Sequence, residues 1–330
     1  MAPSSGIAMT DSGEETEKAS ERSTYSARDS CKAPNQPQKL ILLSLTSRCA
    51  LGCVYCRGSE RPYDRLGAGS HRGDFPRERW DWLISVCRRY ASPNLLLTGG
   101  EPLQYPELAD LLERLALEDI PVRIHSNGVH AEWNRLLKRI DRMADRRLGV
   151  TLSLELVDEL QQRLRCSSLP LALVEELAAR DLNLQLKVVL HNELLPWVEV
   201  LPEVLREWRS RGVSSVRFQT LAPAGQAALA RLRLDRSCLR LVDTLSELDI
   251  AYPDLAGLVR NSPEHWRLLR ALLTNSLPAE RASIEACQVA RTLLFMNSSG
   301  EEMTCRSLWQ RPEGVPCSEF FDETCSGFQS

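Results

Sequence analysis

Among 330 residues no apolar stretch reaches the about 20 needed to cross a bilayer, which sets aside a membrane-spanning helix. Residues 1–38 lack the apolar core of a secretory signal. They are rich in Ser, Glu, Lys and Pro and mix both charge signs, the composition of a disordered tail. Net charge is scarce at −3, so nothing draws the whole chain toward nucleic acid or an anionic membrane, and neither is expected as a partner. The five histidines show no metal-ligand spacing, and no repeat of solenoid period is present. What the chain has instead is cysteine, eleven of them, with no secretory signal. That pattern points to a reducing, cytoplasmic setting and to metal ligation rather than a disulfide framework. With 43% hydrophobic residues, the chain can bury one large core plus an appended module.

Short apolar runs alternate with longer amphipathic stretches. Strands are predicted at Leu40–Thr46, Asn94–Thr98, Val122–Ser126, Gly149–Glu155, Leu182–His191 and Val213–Leu221. Helices are predicted between them at Pro76–Tyr90, Pro106–Leu117, Ala131–Arg142, Pro170–Arg180 and Pro196–Arg211, each opening on a proline or alanine that a first turn tolerates. Strand and helix in strict alternation imply an α/β fold with a parallel sheet and right-handed crossovers. The pattern alone does not separate an open doubly wound sheet from a barrel. Residues 222–286 read as helical, and Arg291–Asn297 with Glu301–Cys305 read as a hairpin turning at Ser298–Gly300.

Two motifs carry chemistry. Just after the first strand the chain reads CALGCVYC, with Cys49, Cys53 and Cys56. At the end of the second strand it reads GGEP, Gly99 to Pro102. Three close thiolates can hold a [4Fe–4S] cluster and leave its fourth iron open to a ligand, whereas structural zinc and simple electron carriers usually take four protein ligands. Near the end of the chain Cys287, Cys305, Cys317 and Cys325 supply four further thiols, enough for a second cluster or a tetrahedral zinc.

The spacing of Cys49, Cys53 and Cys56, with aromatic Tyr55 before the last, together with GGEP, resembles the radical S-adenosylmethionine (radical SAM) family. The resemblance implies a partial (βα)6 TIM barrel with the cluster loop after the first strand and site residues at the C-terminal strand ends. It implies that the open iron chelates S-adenosylmethionine, which is cleaved reductively to methionine and a 5′-deoxyadenosyl radical. On the same basis Tyr55, Gly99, Gly100, Glu101, Pro102, Asn127, Ser153 and Glu155 are expected to bind the cofactor, GGEP at the methionine amino group and the last three near the ribose. The C-terminal cysteines resemble the SPASM or twitch extension, which carries auxiliary [4Fe–4S] clusters. Domains are then expected at 1–38 (tail), 39–250 (barrel) and 251–330 (helical linker and auxiliary-cluster module).

Cys87 and Cys238 fall on apolar helical stripes and read as packing residues, while Cys31 lies in the tail. Cys166, in a polar stretch after the fourth strand, is a candidate hydrogen-atom donor of the kind some epimerases of the family use. His125 and His191 sit at strand ends and are candidates to line a cavity. The resemblance implies an oxidoreductase or maturase that abstracts hydrogen from an unactivated C–H bond, with flavodoxin or ferredoxin as electron donor. Its first substrate class is a ribosomally made peptide, modified by cross-linking, oxidation or epimerisation in natural-product biosynthesis. Against this, the chain reads Ser153-Leu154-Glu155-Leu156 where many peptide maturases read Ser-Leu-Asp-Gly. A dehydrogenase or epimerase of an aminocyclitol or sugar is the alternative, and a non-catalytic iron–sulfur scaffold the third.

Overall fold

The computed structural model describes residues 38–56, 73–142, 147–220, 231–274, 276 and 293–303. The 1–38 tail, but for its last residue, and the cysteines Cys287, Cys305, Cys317 and Cys325 lie outside the described residues. Six strands follow one another as expected: β1 (Leu40–Thr46), β2 (Leu95–Gly99), β3 (Val122–Ser126), β4 (Leu148–Ser153), β5 (Leu184–Leu190) and β6 (Ser215–Thr220). Each pairs in parallel with the next. Two more strands complete the sheet: β7 (Leu293–Met296) lies parallel to β1, and β8 (Glu302–Met303) pairs antiparallel with β7. The order β6-β5-β4-β3-β2-β1-β7-β8 runs through the first six strands without a reversal. Right-handed crossovers that always step the same way put every helix on one face. The sheet therefore forms part of a barrel rather than a doubly wound sandwich, and its other face is an interior.

Local sequence explains the outer layer. Helix α1 (Trp80–Arg89) buries Trp80, Leu83, Ile84 and Cys87, while α2 (Leu108–Leu117) buries Leu108, Leu111, Leu112 and Leu115. Helix α3 (Trp133–Ile140) buries Trp133, Leu136, Leu137 and Ile140, a stripe spaced three and four residues apart. Across from these helices the strands bury every second residue: Ile41, Leu43 and Leu45 on β1, and Leu184, Leu186, Val188 and Leu190 on β5.

Several boundaries differ from the sequence reading, each for a physical reason. A helix that the apolar pattern does not signal, α4 (Asp158–Arg165), follows β4; its mostly polar residues still bury Leu160, Gln161, Leu164 and Arg165. Cys166 is thus not in an irregular loop but caps α4 in the left-handed conformation (φ 56°), exposed to solvent. Next come α5 (Leu171–Ala179) and α6 (Leu201–Ser210). The segment before α6, Asn192–Val200, is 3₁₀ with Pro196 inside it, and α6 proper opens with Pro202 in its first turn. A proline there has no N–H to return to the preceding turn, so the α ladder cannot run through from Pro196. Beyond β6, α7 (Leu239–Ser246), the short α8 (Leu248–Ala251) and α9 (Pro263–Leu273) bear out the helical reading of this region. The β7–β8 hairpin turns at Gly300 (φ 77°) as expected, but β7 hydrogen-bonds to β1, so residues beyond 250 contribute to the main sheet. Cys87 and Cys238 are buried, 3% and 0% exposed.

Candidate active site

The C-terminal ends of β1 to β5 converge on the Cys49–Cys56 loop. The loop leaves β1 at Thr46, where the β1–β2 register shifts between Ser44 and Thr46. Backbone bonds then zip the GGEP segment onto it: Gly100 N donates to Thr46 O and Glu101 N to Arg48 O, both at 2.7 Å. This approach is why two glycines stand here. A Cβ on Gly99 (φ 128°) would lie 2.4 Å from Thr46 O, and one on Gly100 would lie 2.1 Å from Arg48 O. The glycine pair admits the chain's own cluster loop, a closer requirement than the access of a ligand that the sequence suggests.

Pro102 opens a 3₁₀ turn (Pro102–Gln104) capped by Glu101, whose carboxylate accepts from Leu103 N at 3.2 Å. The same carboxylate accepts from Ser126 Oγ and from Asn127 N, both at 2.8 Å, tying β2 to the end of β3. Glu101 is 1% exposed and all these partners are neutral. Burial pushes its pKa up, and the donors from Asn127, Ser126 and Leu103 offset only part of that. A buried carboxylate held by neutral donors is a fitting receptor for a cation. Asn127 Oδ1 accepts from Val129 N at 2.8 Å, and its Nδ2 lies 3.7 Å from Cys49 Sγ.

A second buried carboxylate stands at the end of β4. Glu155 is 0% exposed, with Oε1 accepting from Tyr55 Oη and from Arg165 Nε at 3.0 Å, and with His191 Nε2 3.0 Å from Oε2. Its backbone N–H donates to the Oε1 of buried Gln161 at 2.9 Å. Burial alone raises the Glu155 pKa, but the His191 hydrogen bond, the Arg165 charge and Tyr55 outweigh it and hold the carboxylate below its usual range. Both oxygens are engaged inside the protein, in a tie between β4, β5, α4 and the cluster loop. The Arg165 guanidinium also stacks over the Tyr55 ring, 5.2 Å from its centre, and Val54 N donates to Leu164 O at 2.9 Å. Arg165 and His191 thus join the site, one from the unsignalled helix α4 and the other from the end of β5. Ser153 ends β4 half-buried, beside Lys187 in the register.

Cys49 is exposed, Cys53 buried and Cys56 half-buried. Burial raises the Cys49 thiol; it pushes Cys53 to about 11, opposed by Arg165 and reinforced by Cys56 and Cys49. The thiols therefore lie within one another's field. Among the described residues no three His, Cys, Asp or Glu side chains are drawn together as a finished metal site. The donor chemistry nonetheless fits an iron–sulfur cluster: three soft ligands on one short loop, beside a cationic Arg165 that favours their thiolates. Cys166 follows Arg165 as the cap of α4, its thiol free and exposed.

Residues 43–189 match the family described as Radical SAM superfamily. A GTP 3′,8-cyclase of Aquifex aeolicus (strain VF5) is 27% identical over 163 residues, 49% of this chain and 49% of that protein, so the chain matches about half of this relative's length. Among solved structures, Streptococcus suis SuiB bound to precursor peptide SuiA superposes with a TM-score of 0.62 at 15% identity, over 89% of this chain and 65% of that one. The structure titled native anSMEcpe with bound AdoMet gives 0.52 at 15% identity, over 82% and 75%. At such identities the likeness is one of fold. Residues 43–189, which carry the CALGCVYC and GGEP motifs, thus form a domain that matches the radical SAM superfamily.

Proposed function

We propose that the chain uses S-adenosylmethionine and a [4Fe–4S] cluster on Cys49, Cys53 and Cys56 to abstract hydrogen from an unactivated C–H bond. The observation that carries this is the docking of GGEP onto the cysteine loop, which sets the buried, cation-seeking Glu101 beside Cys49. Bound there, the cluster and S-adenosylmethionine supply a one-electron cleavage that ends in 5′-deoxyadenosine and a substrate short of one hydrogen atom. The protein's part is positioning. Glu101 receives the ammonium of the cofactor. The Tyr55–Glu155–Arg165–His191 network fixes the loop, and Arg165 offsets the thiolate charge. Polar Ser153 stands at the adjoining strand end for the remaining cofactor groups.

Cys287, Cys305, Cys317 and Cys325 are assigned to an auxiliary cluster in a C-terminal twitch-like module, and flavodoxin or ferredoxin to electron supply. The substrate class is a ribosomally made peptide; the SuiB fold, seen with its precursor peptide, supports it. A small molecule is the second reading, favoured by the GTP 3′,8-cyclase relative. Anaerobic reconstitution with iron, sulfide and dithionite tests the first statement. Formation of 5′-deoxyadenosine supports it, and intact S-adenosylmethionine beside a fully loaded cluster points to the scaffold instead.

A further inference from the structure

Exposed arginines in this chain are as a rule answered by acids. Arg139 meets Asp110 and Glu113, Arg206 meets Asp254, and Arg211 meets Glu175 and Glu207. One short stretch between β6 and α7 departs from that rule. Arg231, Arg233 and Arg236 are all exposed, and none of them pairs with an acid among the described residues. Leu232, 3% exposed, and Leu234, packed against the core, anchor the stretch from within, so the arginines beside them are turned outward. The single acid of the stretch, Asp235, is taken up as a cap. Its Oδ1 accepts from Ser237 N at 2.8 Å and from Ser237 Oγ, opening the 3₁₀ turn Arg236–Cys238 that leads into α7. Those two bonds hold the Asp235 carboxyl below its usual range, and no arginine contributes. Residues 221–230, just ahead, include no Asp or Glu.

The strip lies at the end of the barrel that carries the cluster loop. Arg231 O accepts from Asn192 Nδ2 at 2.7 Å, and Asn192 directly follows His191, whose ring reaches Glu155. The 3₁₀ segment Asn192–Val200 also packs against α7 and against Arg236–Cys238. Its own acids, Glu193 and Glu199, are engaged by Arg163 and Arg240, so the three arginines stay unanswered. The bond to Arg231 O fixes which way the Asn192 amide points. It leaves Asn192 Oδ1 shielded and without a hydrogen-bond partner, which is rare in folded proteins unless a ligand or water completes the group.

We infer that Arg231, Arg233 and Arg236 form a docking strip for an acidic segment of a peptide substrate, held on the rim while the residue to be modified enters the barrel. Planar guanidinium forks match carboxylates two bonds at a time, and three of them in six residues suit a run of acidic side chains. Asn192 Oδ1 adds an acceptor for a backbone N–H, a donor that a peptide has and a phosphodiester lacks. The inference deepens the proposed function and rests on its peptide reading.

The test is fluorescence anisotropy on the full chain, reconstituted anaerobically and saturated with S-adenosylmethionine. The probe is a dye-labelled short peptide of alternating glutamate and glycine, compared with its glutamine counterpart and with a single-stranded oligodeoxynucleotide of equal charge. The glutamate peptide is expected to bind, and to bind more weakly as salt is raised. Its affinity is expected to fall about threefold or more in each of Arg231→Gln, Arg233→Gln and Arg236→Gln, and about tenfold or more in the combined variant. Arg89→Gln, at the exposed end of α1, is expected to bind as the parent does, and all variants to melt as the parent does because the side chains are exposed. No binding of the glutamate peptide, equal binding of the glutamine peptide, or full affinity in the combined variant would overturn the inference. Tighter, arginine-dependent binding of the oligonucleotide would overturn it too. So would slower reduction of the cluster by flavodoxin in the combined variant with reduction by dithionite unchanged, since the strip would then serve the electron donor. Binding is read without turnover, so the two readings fail separately. A protein that makes no 5′-deoxyadenosine yet loses the peptide on substitution sinks the radical reading alone, and one that makes 5′-deoxyadenosine but never binds the peptide sinks this inference alone.

Discussion

Glu101 and Glu155 are the same residue at the ends of two strands of one sheet, each 1% exposed or less, yet burial leaves them in opposite states. Glu101 is gripped by neutral donors only, and its pKa rises. Glu155 is met by His191, Arg165 and Tyr55, and its pKa falls. The difference separates a carboxylate that awaits a cation from one that already has its own. In our proposal Glu101 serves the ligand, while Glu155 already ties strands and cluster loop together.

The comparison breaks most visibly at Glu155. Removing one member of a buried ion pair strands the other, so Glu155→Ala is expected to lower stability by about 3–5 kcal/mol, read as a large drop in melting temperature. A melting temperature equal to the parent would mean the network carries no weight. Next in size is Gly100→Ala. The new Cβ meets the Arg48 carbonyl, a backbone atom that cannot swing aside, and about 1–3 kcal/mol is expected from chemical denaturation. Glu101→Gln sharpens the other side. Its stability should stay within about 1 kcal/mol of the parent because no native cation is orphaned. Its S-adenosylmethionine affinity, by calorimetry, should fall about tenfold or more because a charged partner of the ammonium is gone.

Acid titration gives the smallest effects and the clearest signs. Glu155 has a folded pKa below its unfolded value, so its contribution is present above about pH 4.5 and is lost as pH falls through the folded pKa. Glu101 has a raised pKa, so the protein gains stability relative to neutral pH as that carboxyl takes up its proton. His125 is held at about 3, so the unfolded chain protonates first and stability drains as pH falls below about 6.5. Glu155→Gln and His125→Gln should each flatten the acid limb of a stability–pH curve, while Glu101→Gln should steepen it.

How much of this was legible beforehand follows from where the information resides. The six strands are short apolar runs, alternating in burial on β1, β3 and β5, and β1 and β3 were readable to the residue, because local pattern decides them. The CALGCVYC and GGEP motifs were legible because they are short and contiguous. Helix α4 was not: DELQQRLR has just Leu160 and Leu164 as apolar residues, and the acidic first turn and basic last turn were its remaining signals. Missing it hid Arg165, and with it the reason for Tyr55, since the two meet through Glu155 across about a hundred residues of chain. The pairing of β7 with β1 was hidden likewise, because a hairpin signal says nothing about which sheet edge it will join.

The account stands on the cysteine loop, and one assay addresses it most directly. Full-length protein and its Cys53→Ala variant, both reconstituted under strict anaerobiosis, are compared for bound iron and for 5′-deoxyadenosine released under dithionite. The account predicts iron and 5′-deoxyadenosine from the parent, with 5′-deoxyadenosine abolished in the variant. Equal 5′-deoxyadenosine from both proteins would contradict it.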